Sequence, residues 1–105
     1  SDQIDSPENT EFVEAYTAKW NMAPTVYSVQ MYDAAAVLDK ALAESDGVDG
    51  KSIATALKSV GDIESPRGTW RFDASHDPDQ PYWLREVQTV DGKRVNAVVT
   101  ELAAG

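Results

Sequence analysis

Three helical patterns precede three strand-like patterns along this chain. From Val26 to Leu38 the polar side chains, apart from two tyrosine hydroxyls, are Ser28, Gln30 and Asp33. A helix apolar over most of its circumference belongs inside a fold rather than on its surface. Pro24 suits its start, and three consecutive alanines allow another backbone to come close, so the pattern predicts a central buried helix over roughly residues 27–45. Ser45-Asp46-Gly47 ends it, with Gly47 as a left-handed cap.

Upstream, residues 1–6 are polar and predicted to fray. Ser6-Pro7-Glu8 then gives an N-cap, a first-position proline and a first-turn acid, and Phe12, Tyr16 and Trp20 recur every four residues. Downstream, Asp49-Gly50-Lys51 opens a third helix. Ile53, Ala56, Leu57 and Val60 form its apolar face, and Gly61 closes it. Gly61, Pro66 and Gly68 mark a loop over 61–68. Trp70 and Phe72 around Arg71 then show the period of a strand, residues 73–81 have turn composition, and Tyr82 to Val90 reads as a longer strand. Asp91-Gly92 signals a type I′ hairpin, with Arg94 to Thr100 as the return strand. The tail, Leu102-Ala103-Ala104-Gly105, offers little to anchor. The fold class is α+β: three helices, then a three-stranded, mainly antiparallel sheet.

The chain has 105 residues, so it forms at most one modest domain. Eighteen acidic and nine basic residues give a formal charge of −9. That balance argues against nucleic acid and anionic membranes as partners, since both attract basic patches. The central helix is too interrupted by polar residues for a membrane span. The absence of cysteine removes disulfides, thiol catalysis and cysteine zinc sites. Without a starting methionine or a visible leader, the chain reads as a mature product or a piece of something longer.

Asp73, His76, Asp77 and Asp79 are the densest set of metal-capable side chains. Their spacing matches no EF-hand loop and proline interrupts them, so a solvated turn is the default and no metal or other cofactor is expected. Ser75, His76 and Asp77 are chain neighbours, which a catalytic triad does not require and rarely is. One histidine and no glycine-rich phosphate loop leave no case for an enzyme. Asp33, a carboxylate in an apolar helix, needs a hydrogen-bonded or charged partner, unless it faces a wet edge or caps nearby backbone. Tyr27 and Tyr32 each join an apolar ring to a polar tip, and either core packing or a ligand groove would use them.

The order of these motifs resembles a known family. Pro7, Phe12, Tyr16 and Trp20 are followed by a short proline-containing link and by Tyr32-Asp33-Ala34 on a long Ala/Leu helix. Then come the Ile53…Leu57 helix, Pro66-Arg67-Gly68-Thr69-Trp70-Arg71-Phe72-Asp73, and Tyr82-Trp83-Leu84. The set resembles the C-terminal third of type I periplasmic solute-binding proteins, the branched-chain amino-acid-binding branch that feeds ABC importers. The resemblance implies a two-lobe α/β fold closing on a small ligand, such as an amino acid or similar carboxylate. It implies ABC transporter membrane subunits as partners, and a periplasmic or extracellular location. Residues 1–84 would contribute to the first lobe and 85–105 cross to the second, near Leu84-Arg85. The family's aromatic ligand contact, five residues before the Tyr of Tyr-Asp-Ala, falls on Tyr27. Its main carboxylate- and ammonium-binding residues lie earlier in the family's sequence, so this chain alone is not expected to bind ligand and is expected to self-associate. The alternative is a small self-standing interaction or assembly domain with no ligand.

Overall fold

The computed structural model describes residues 3–103. Helix α1 runs Pro7–Trp20, α2 Val26–Glu44 and α3 Gly50–Leu57. They are followed by strands β1 (Arg71–Phe72), β2 (Pro78–Asp79), β3 (Tyr82–Val90) and β4 (Lys93–Leu102). No helix among the described residues is long and apolar enough to cross a membrane.

The helix starts follow from their capping residues. The Ser6 hydroxyl accepts from the Asn9 amide at 3.1 Å with Pro7 at the first helical position, and Asn21 ends α1 in a left-handed conformation. Thr25 and Ser28 exchange bonds at the start of α2. Asp49 caps α3, and bonds from the Ser52 hydroxyl and the amides of Ser52 and Lys51 hold its carboxyl below the ordinary aspartate range. The end of α2 differs from expectation. Ser45, not Gly47, is the C-cap, in extended conformation. Its hydroxyl donates to the Gly47 carbonyl at 2.6 Å, so no left-handed glycine is needed. The expected fraying of residues 1–6 also fails where the structure describes it. Ile4 is buried and its carbonyl accepts from the Asn9 side chain at 2.8 Å; Ser1, Asp2, Ala104 and Gly105 lie outside the described residues.

The core gathers Val37 and Ala41 of α2, Ala56 of α3, and Val60, Ile63 and Trp70 beyond it, with Leu57 and Phe72 against them. Ile63 and Trp70 pair through two backbone bonds of 2.7 and 3.0 Å. The central helix is not buried all round. Its buried positions, Val29, Asp33, Val37 and Ala41, form one stripe at four-residue spacing. Val26, Tyr27, Met31, Tyr32, Leu38 and Leu42 stay exposed. Helix α1 meets it through the Phe12 and Tyr32 rings, with centroids 5.0 Å apart.

The strands form two separate two-stranded antiparallel sheets, β1–β2 and β3–β4, rather than one sheet of three. Pro78–Asp79, within the stretch read as turn, pairs with β1. Gln80 and then Pro81 follow, and Pro81 offers no N–H, which stops that ribbon from running on into β3. In the β3–β4 hairpin, Val90 faces Lys93 across Asp91 and Gly92, both with positive φ, as a type I′ turn requires. The register breaks between Leu84, opposite Thr100, and Arg85, opposite Val98, leaving Val99 as an extra residue. No Cα of the hairpin strands lies within 8 Å of a helix or of β1–β2.

Candidate functional site

The Thr25–Ser28 capping box fixes the first turn of α2. The Ser28 hydroxyl accepts from the Thr25 amide at 2.7 Å and donates to the Thr25 carbonyl at 2.8 Å. Tyr27 stands on this turn with three-quarters of its surface exposed. Met31, one turn on and on the same side of the helix, is 70% exposed. The result is an apolar, rigidly mounted ledge with a phenol at its end. Beside it, Tyr32, Phe12, Tyr16 and Trp20 form a run of rings with successive centroids 5.0, 5.8 and 6.4 Å apart. Lys19 lies 5.3 Å from the Trp20 ring centroid.

Asp33 follows on the buried stripe. Its Oδ2 accepts from both Nε and Nη2 of Arg67, at 3.0 and 2.8 Å, and its side chain is 4% exposed against 20% for Arg67. The charged partner is therefore the alternative that holds for this carboxylate. Arg67 sits in a tight turn in which the Ser65 hydroxyl accepts from the Arg67 amide at 3.1 Å and the Ser65 carbonyl from the Gly68 amide at 2.9 Å. Gly68 has φ +115°, and a Cβ there would lie 2.6 Å from Cγ of Pro81. The Arg67 carbonyl accepts from the Trp83 indole at 3.2 Å. A groove of about 490 Å³ opens beside the pair, lined by Gln30, Val37, Trp70 and Phe72 among others; Tyr27 stands outside it. Arg67 was missed in the sequence. The demand of Asp33 for a cation was legible, but nothing singled out this arginine from nine basic residues.

Comparison with known proteins places these features. A family model described as periplasmic binding protein matches residues 1–94. The chain belongs to the periplasmic binding protein family. Solved structures agree. An ABC-transporter solute-binding protein from Rhodopseudomonas palustris BisB5, solved with 3,4-dihydroxybenzoic acid, is 32% identical with a TM-score of 0.90. The match covers 99% of this chain and 29% of that one. One from Rhodopseudomonas palustris HaA2, with p-hydroxybenzoic acid, is 33% identical (TM-score 0.81, 96% of this chain, 28% of that one). A substrate-binding protein from Desulfitobacterium hafniense in complex with Leu is 30% identical (TM-score 0.76, 91% and 28%). The comparison with curated proteins gave no match. This chain thus has the fold of one segment of type I periplasmic binding proteins and spans under a third of those relatives' length.

Within this periplasmic binding segment, the Asp73–Asp79 stretch is a structural turn. The Asp73 carboxylate accepts from the Ser75 and Asp77 amides at 2.7 and 3.0 Å. His76 takes a left-handed conformation, and Asp79 is a β2 residue opposite Arg71. The described residues contain no group of three or more His, Asp or Glu side chains placed to hold a metal ion.

Proposed function

We propose that this chain supplies one wall of the ligand cleft of a solute-binding protein that delivers a small organic acid to an ABC importer, with Tyr27 meeting the ligand. The observation that carries the reading is the exposed Tyr27 ring on a turn whose backbone is fixed by reciprocal capping bonds. A planar, apolar surface held rigid gives up little side-chain entropy when it packs on a ligand. The relatives solved with two hydroxybenzoic acids and with Leu favour a small aromatic carboxylate or branched-chain amino acid as the ligand class. In this reading the protein works in the periplasm or outside the cell and docks on the transporter's membrane subunits. Residues 1–84 belong to the first lobe and 85–105 to the second. The register break at Leu84/Arg85 and the projection of the hairpin from the helices support that division.

The test is calorimetric. In the full-length chain carrying this segment, Tyr27→Ala is expected to weaken binding of p-hydroxybenzoate or leucine by about 1–3 kcal/mol, the scale of a packed aromatic contact. Unchanged affinity in a folded variant overturns the role of Tyr27.

The 105 residues taken alone expose both free edges of the β3–β4 ribbon and the apolar side of α2. Unpaired edges and apolar patches of this kind recruit other chains. Light scattering after size exclusion is expected to show a dimer or larger species at tens of micromolar, with no measurable binding of leucine. A monomer would show that the ribbon edges and the apolar side of α2 are satisfied within the chain.

A further inference from the structure

We infer that Asp91 is a modification site, the aspartate at which this chain isomerises to isoaspartate with age, and that the change loosens the β3–β4 turn. The inference goes beyond the solute-binding reading and does not rest on it.

The chemistry needs an aspartyl carboxyl followed by an amide nitrogen that no side chain shields, which an Asp-Gly pair provides. The chain has three such pairs, Asp46-Gly47, Asp49-Gly50 and Asp91-Gly92. The fold holds the first two. Asp49 is the N-cap of α3. Its Oδ1 accepts from the Lys51 and Ser52 amides at 3.0 and 3.1 Å, and its Oδ2 from the Ser52 hydroxyl at 2.6 Å. Those bonds fix the carboxylate on the first turn and keep it ionised, the form that resists attack. In the Asp46 pair the nucleophile is engaged. The Ser45 hydroxyl accepts from the Gly47 amide at 3.4 Å and donates to the Gly47 carbonyl at 2.6 Å. Asp91 caps no helix. In a two-residue hairpin loop the closing bonds run between the flanking residues, here Val90 and Lys93, and leave the two central amides out of the ladder. The Gly92 nitrogen is therefore engaged by no bond that the turn itself makes.

The step balances without an added reagent other than water. The Gly92 nitrogen attacks Cγ of the protonated Asp91 carboxyl, the N–Cγ bond forms, the nitrogen gives up its proton, and one carboxyl oxygen leaves as water. Water then adds to the former main-chain carbonyl of the succinimide and breaks its bond to nitrogen. The chain now runs through Cβ and Cγ, and the α-carboxyl is free. The product has the mass of the original and one more backbone carbon in the loop. A turn that closes on two residues of positive φ has no room for that carbon, so the Val90–Lys93 pair loses its geometry.

The test ages the folded full-length chain carrying this segment in mildly acidic buffer and maps isoaspartate by peptide mass spectrometry with electron-transfer fragmentation. A parallel sample ages in urea. In the folded sample Asp91 is expected to isomerise at least about tenfold faster than Asp49, the factor that a cap of ordinary strength sets, and faster than Asp46. In urea the three should fall within about threefold of one another, because the same dipeptide is then released from its fold. Equal rates in the folded sample, an unmodified Asp91, or the same ranking in urea overturns the assignment. The aged species, separated by ion exchange, reads the consequence. Its Val90 and Lys93 amides should exchange hydrogen about tenfold faster than in the fresh protein, while those of Ile63 and Trp70 keep their rates. Unchanged exchange at the turn, or faster exchange throughout, overturns the local loosening. Affinity for p-hydroxybenzoate and leucine, measured on the fresh protein, reads the ligand proposal separately.

Discussion

Replacing Asp33 by alanine is expected to lower the stability of the folded chain by about 3 kcal/mol, the lower end of the cost of breaking a buried ion pair from one side. The substitution leaves the Arg67 side chain, four-fifths buried, with neither of its guanidinium bonds to Oδ2. The remaining exposure of Arg67 is why the lower end applies: water can reach part of the orphaned charge. Removing both partners is a different experiment. Asp33→Leu combined with Arg67→Met replaces two desolvated charges by apolar groups, and such exchanges are often near neutral. The double variant should therefore recover most of the loss, measured as the urea midpoint at unchanged slope. A single Asp33→Ala variant within about 1 kcal/mol of the parent would show that the pair is no stronger than an exposed salt bridge. Arg71–Asp62, at 3.4 Å with both side chains more than half exposed, is such a bridge and serves as the control.

The same pair marks the limit of what the sequence revealed. Local signals were legible because local chemistry decides them. Ser6-Pro7, Asp49 and Asp91-Gly92 cap or turn the chain where their side chains and dihedral freedom say they should. The helix order and the family resemblance were legible for the same reason, through ordered short motifs. Features that depend on residues far apart were not. Asp33 and Arg67 are 34 positions apart, and only the approach of the Ser65 turn to α2 joins them. The degree of burial of α2 was misjudged because an apolar circumference reports what the helix would bury, not what covers it. Among the described elements, α3 and the Trp70 region cover one side, and α1 adds the Phe12–Tyr32 contact. The strand arrangement was misread at Pro78–Asp79, where turn composition hid a pair of residues that β1 recruits across the tight Asp73 turn. Tyr27 was legible through the resemblance. From residue type alone its ring fitted a core or a surface equally, and its exposure separates the two.

Trp70→Ala is expected to have the largest effect on stability, about 3–5 kcal/mol, as for other large aromatics removed from a core. Trp70 is 7% exposed and sits where α2, α3 and the chain after α3 converge, among Val37, Ala41, Val60 and Ile63. Its ring meets Phe72 edge to face, with centroids 5.1 Å apart at 85°, an arrangement that adds to the area term. The backbone on either side is held by the reciprocal bonds with Ile63, so the site cannot collapse easily around a missing ring. A chain whose total stability is of the usual 5–15 kcal/mol would be left marginal or unfolded. The indole nitrogen adds a second, discriminating expectation. Among the described residues, Nε1 of Trp70 is buried without a hydrogen-bond partner, so phenylalanine removes an unsatisfied donor together with part of the ring. Trp70→Phe should then cost only about 1–2 kcal/mol, the smaller cavity being partly offset by the relief of that donor. Chemical denaturation of the two variants side by side checks both. If phenylalanine proves as damaging as alanine, the indole N–H has a partner in solution and the contribution assigned here to ring packing is wrong.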